Sequence, residues 1–100
     1  MEAPEKFSRI INRKKYSTET ATLIADDEYW DGRNFERGGR NCFLYRTPNG
    51  AYFTVNLTQW QGERDTLEVM TLEEAKDLYE QLPEHEQNFE TAFGEKPEEA

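Results

Sequence analysis

The chain has 100 residues, enough for one domain, with a net charge of −9 and 33% charged against 35% hydrophobic residues. A single cysteine excludes an internal disulfide, and one cysteine with one histidine cannot make a four-ligand structural zinc site. No apolar run approaches the ~20 residues of a membrane span, and aromatic residues at 13% point to an aromatic-rich core rather than disorder.

Residues 1–6 read as a loose arm, with no basic or apolar stretch of the kind a signal peptide needs. Residues 7–16 fit a tight hairpin turning at Asn12-Arg13, because Asn tolerates positive φ. Residues 17–30 fit two readings. Thr18, Thr20 and Thr22 favour a strand, whereas Ser17 or Thr18 could cap a helix. The β-branched run favours a turn followed by a strand over residues 20–27. Residues 31–39 carry Gly32, Asn34 and Gly38-Gly39 and read as a loop.

The clearest local signal is a hairpin. Residues 41–47 and 51–57 are two strands around Pro48-Asn49-Gly50, where Pro presets φ and Asn-Gly supplies the positive φ of the turn. Alternation places Phe53, Val55 and Leu57 on a core face and Tyr52, Thr54 and Asn56 on the other. Another turn surrounds Gly62, and residues 66–70 alternate as a final edge strand does. Thr71-Leu72-Glu73-Glu74 is a capping box, followed by Leu72, Ala75, Leu78, Tyr79 and Leu82 in one helical stripe. After Pro83, residues 84–93 fit a second helix with Phe89, Ala92 and Phe93 inward and Gly94 as its stop. The expected architecture is α+β: an antiparallel sheet of four to five strands with one or two C-terminal helices on one face. Residues 1–94 form the domain, and residues 95–100 form a disordered acidic tail.

No catalytic constellation emerges. Cys42 sits in a strand as a small hydrophobe, and His85 lies in a Glu-rich stretch as a solvated helix residue. Asp26, Asp27, Glu28 and Asp31 fail as a calcium loop, since Tyr29 would occupy the third ligand position, and they read as a solvated acidic loop. No Gly-rich phosphate loop is present, and neither a cofactor nor a metal is expected.

Charge is the informative feature. Residues 1–50 hold nine Lys/Arg against eight Asp/Glu; residues 51–100 hold three against thirteen. Such a C-terminal field repels phosphates and anionic membranes and draws in basic partners. Candidate contact residues are Glu73, Asp77, Glu80, Glu84 and Glu86 on the helix, and Glu63, Asp65 and Glu68 on the edge strand. Trp30 and Trp60 join them as loop aromatics rimmed by polar groups.

Three segments share a pattern with a known group: Lys15-Tyr16-Ser17-Thr18-Glu19-Thr20-Ala21, then Leu44-Tyr45-Arg46-Thr47-Pro48-Asn49-Gly50-Ala51-Tyr52-Phe53, then Met70-Thr71-Leu72-Glu73-Glu74-Ala75. In order and spacing they resemble small uncharacterised proteins carried by bacteriophages and other mobile elements, some of which act as anti-CRISPR inhibitors. The chain departs from that pattern at Arg13, where a turn Gly is expected, after Asn56, where a Gly-rich continuation is expected, and in the acidic end after Leu82, which has no counterpart in the group. The resemblance permits an anti-CRISPR inhibitor and transfers no site residue. The single cysteine, the missing catalytic constellation and the acidic C-terminal half add the expectation of a cytoplasmic, non-enzymatic protein that blocks a basic nucleic-acid-handling host protein by presenting carboxylates where phosphates would lie, as a nucleic-acid mimic. The alternative is a small RNA- or DNA-binding regulator using the basic N-terminal half and the hairpin aromatics.

Overall fold

A computed structural model describes residues 3–27, 40–58 and 62–99. In chain order the elements are β1 (Ser8–Ile11), β2 (Lys14–Ser17), β3 (Thr22–Asp26), β4 (Arg40–Arg46), β5 (Tyr52–Thr58), β6 (Thr66–Met70), α1 (Leu72–Gln81), β7 (Glu84–His85) and α2 (Phe89–Phe93). The fold is α+β, with a five-stranded antiparallel sheet in the order β6-β5-β4-β3-β7 and a separate β1-β2 ribbon. No described helix is long and apolar enough to cross a membrane.

The β4–β5 hairpin forms as its sequence dictates. The Gly50 N–H donates to the Thr47 carbonyl, closing the turn over Pro48-Asn49, and Gly50 alone takes positive φ, at 84°. The Ala51 N–H donates to the Thr47 hydroxyl, which locks the exit. At residues 17–21 the turn reading holds. The Glu19 N–H donates to the Ser17 hydroxyl and the Ala21 N–H to its carbonyl, and β3 follows.

Both faces of the sheet are buried, which the single core face expected of β5 did not anticipate. Phe53 and Val55 pack with Phe43, Tyr45, Tyr16 and Leu67 on one side, while Tyr52 joins Ile24, Leu44, Ala75 and Tyr79 on the other. The reason is that β1-β2 lies over the sheet instead of extending it. Ala3, Phe7 and Ile11 seal this layer, and Phe7 and Thr18 exchange two hydrogen bonds, so the described part of the N-terminal arm is docked.

The β1-β2 turn carries Asn12 at φ 51° and Arg13 at φ 67°. Two positive φ values match the right-handed twist of a hairpin, but a left-handed residue other than Gly costs ~1–2 kcal/mol. Replacing Arg13 by Gly should stabilise the protein by about 0.5 kcal/mol, because Gly's greater freedom when unfolded offsets part of the relief. A raised urea midpoint with unchanged slope is the expected reading; a lowered midpoint contradicts it.

Three further expectations are corrected. Residues 84–93 are not one helix: Leu82 ends α1, and Pro83 leads into β7, which pairs with β3 through Ala25↔His85 and Asp26↔Glu84. Only residues 89–93 are helical, capped by Asn88 and stopped by Gly94 at φ 73°. Asp26 and Asp27 are not solvated. Both are buried, and the Asp27 carboxylate accepts the Cys42 N–H at 2.8 Å and the Asn41 amide at 3.1 Å, continuing the strand contact with a side chain. His85 is on β7, not on a helix.

Candidate functional site

The helix layer begins with the capping box. The Thr71 hydroxyl accepts the Glu74 N–H, and the Glu74 carboxylate accepts the Thr71 N–H. These bonds hold the Glu74 carboxyl below its ordinary pKa of 4.5. A lowered folded value means that this contribution is complete above the ordinary pKa and fades as pH falls through the lowered one. The stability difference between the native chain and Glu74→Ala should therefore be present at neutral pH and shrink in acid. A difference that does not vary with pH contradicts the capping role.

Ala75 and Tyr79 bury the inner face of α1. The Tyr79 ring stacks on His85 at 3.9 Å and meets Phe89 and Phe93 edge-on, and its hydroxyl donates to the Gln87 carbonyl at 2.7 Å. His85 Nε2 lies 2.7 Å from the Tyr79 carbonyl, so the ring serves to join β7 to α1. On the other side of α2, the Arg46 guanidinium donates to the Thr91 and Ala92 carbonyls and the Tyr52 hydroxyl to the Ala92 carbonyl. Burial raises the pKa of both tyrosines. Arg46 thus reaches from the sheet to backbone carbonyls at the end of α2.

The outer face of α1 is acidic. Glu73, Asp77 and Glu80 are exposed and, at 3.6 residues per turn, fall within an arc of about 60°, opposite Ala75 and Leu82. Glu68 is exposed on β6, on the same side of the sheet as Tyr52 and Thr54 by alternation. The segment 71–99 carries ten carboxylates against Lys76 and Lys96. Lys76 pairs with Glu95, which raises its pKa, and lies 4.0 Å from Glu73. Residue 95, the start of the expected tail, is thereby tied to α1.

Only part of this charge opposes the helix that bears it, since Glu73 in the first turn suits the dipole and lies beside Lys76. Glu73 and Asp77 are like charges four apart, costing ~0.2–0.5 kcal/mol. Glu80 sits in the last turn, where the helix dipole disfavours an anion and no basic residue compensates. Across the sheet the sign reverses. Residues 3–19 hold Lys6, Arg9, Arg13, Lys14 and Lys15 against Glu5 and Glu19, and all five cations are exposed.

The sequence-derived contact set is therefore sorted by the fold. Glu73, Asp77 and Glu80 form one row, with Glu68 on the same side of the sheet and Glu86 just beyond β7. Glu84 is not on the helix. It is half-buried on β7 opposite Asp26, so alternation turns it to the Phe43 side. Glu63 and Asp65 precede β6 instead of lying on it, and both carboxylates accept from Thr58, by its hydroxyl and its N–H respectively. Trp30 and Trp60 lie outside the described residues, as do Arg33 and Arg37. The hairpin aromatics that an RNA-binding reading requires are core: Phe43 and Phe53 are fully buried and Tyr45 is 3% exposed. Cys42 is buried, and among the described residues no His/Cys/Asp/Glu group could hold a metal.

No protein family, curated protein or solved structure matches this chain. Its functional reading rests on its own residues and on the sequence resemblance set out above.

Proposed function

We propose that this chain is an accessory protein, of the kind carried by phages and mobile elements, that docks its acidic helix layer on a basic nucleic-acid-handling protein of the bacterial host and blocks it. The observation that carries the reading is the sorting of charge across the sheet, with Glu68, Glu73, Asp77 and Glu80 on the helix side and five exposed cations against two carboxylates in the ribbon segment, Glu84 being the exception. Glu73, Asp77 and Glu80 offer anions in steps of about 4.5–6 Å along the helix axis, a row able to occupy side chains that otherwise hold phosphates. Within that row Glu73 suits the helix N-terminus, while Glu80 is held in the last turn against the dipole's preference. A CRISPR-associated nuclease complex is one such host target and is consistent with the resemblance.

The test is capture of host proteins on the immobilised chain across a salt series. Basic nucleic-acid-binding proteins should be retained at low salt, released steeply as salt rises, and displaced by added nucleic acid. Retention indifferent to salt and to nucleic acid would remove the mimicry reading.

A further inference from the structure

The cationic side of the molecule holds a shaped site of its own. A groove of about 510 Å³ opens between β2 and the β4–β5 turn, lined by Lys14, Lys15, Tyr16, Thr20, Thr47 and Asn49 among others. That volume is in the range of small-ligand sites. None of the described lining residues is a carboxylate. We infer that this groove binds a phosphoryl group, carried by a nucleotide or by a nucleic-acid strand.

The donor set fits that chemistry. Each lysine ammonium carries three donors and a full charge, and the asparagine amide adds two neutral donors. The Thr47 hydroxyl accepts the Ala51 N–H, so its proton remains to be donated. Tyr16 is buried against Phe53 and fixes β2 at the groove wall, with ring centroids 5.8 Å apart. The wall is thus set by the core, while the lysines above it are exposed and free to adjust. Arg13, exposed and next to Lys14 in the chain, makes three consecutive cations there, though it does not itself line the groove. An overall charge of −9 does not oppose this, since the carboxylate-rich segment lies across the sheet and exposed charges beyond ~8–10 Å are screened at physiological salt.

The test is a titration of the full chain followed by backbone amide NMR, with pyrophosphate in one series and a short oligouridylate in another. Saturable shifts should centre on residues 14–16, 20 and 47–51. Lys14→Gln with Lys15→Gln should weaken binding about tenfold, and the charge-neutral Asn49→Ala about threefold, as expected when charge-assisted and single neutral hydrogen bonds are lost. The control Lys6→Gln with Arg9→Gln, just before and on β1 and outside the groove lining, should change affinity less than about twofold. All these positions are exposed, so the variants keep the fold. Tighter binding of the oligouridylate than of pyrophosphate assigns the phosphoryl group to a strand; equal binding assigns it to a small phosphate ligand. Shifts that do not saturate, shifts spread evenly along the ribbon, or a control pair that weakens binding as much as the groove pair would overturn the inference.

Discussion

Replacing Phe53 by alanine should destabilise the protein by about 3–5 kcal/mol, the range for removing a fully buried aromatic ring. Phe53 is 0% exposed, stacks on Tyr45 at 5.2 Å and receives the edge of Tyr16 at 5.8 Å. It is the point where the ribbon, β4 and β5 meet. A domain of this size has ~5–15 kcal/mol in total, so the variant should sit near its unfolding threshold at ambient temperature. Denaturant unfolding checks this. A loss under about 1 kcal/mol would mean that the ribbon layer is not packed as described.

The second large effect belongs to the opposite face. Tyr79→Ala should also cost about 3–5 kcal/mol, because one ring contacts His85, Phe89 and Phe93 and thereby holds α1, β7 and α2 together. Tyr79→Phe keeps the ring and loses only the bond to the Gln87 carbonyl, so it should cost about 1 kcal/mol. The two variants separate packing from hydrogen bonding by urea midpoint. Equal losses would contradict the stacked arrangement. Tyr79→Ala should also abolish partner binding, since it releases the layer that holds Glu73, Asp77 and Glu80 in a row.

The features that could be read from sequence are those set by local chemistry. The capping box at Thr71 and Glu74, the stop at Gly94 and the turn at Gly50 each depend on a few neighbouring residues and appear where expected. What escaped reading depends on distant contacts. Ser8 to Ser17 has the pattern of a hairpin whether it extends a sheet or lies across one, and only the second buried face of β5 decides between them. β7 is two residues long, and it exists because the bulge at Ile24 places Ile24 and Ala25 both inward and lets the Ile24 carbonyl accept the Glu86 N–H. Glu84 continues the helical spacing of α1 in the sequence, but the pairing of β7 with β3 takes it off the helix. The burial of Asp26 and Asp27 could not be seen, since their charge argues for solvent until Asn41 and the Cys42 N–H are brought beside Asp27. The groove is likewise assembled from three separate segments, around residues 14–16, 20 and 47–51. Charge asymmetry between the halves was plain in the sequence, but its conversion into opposite sides of one sheet required the fold.

If acidity is a property of one face, two charge-matched variants should behave differently. Asp77→Asn with Glu80→Gln removes two carboxylates from α1; Glu5→Gln with Glu19→Gln removes two from the ribbon side. Affinity for a lysine-rich peptide, measured by calorimetry at low and moderate salt, should fall about fivefold for the first pair and hardly at all for the second, given ~0.2–1 kcal/mol per exposed ion pair. Equal losses for the two pairs would show that only net charge matters and would contradict a dedicated acidic face.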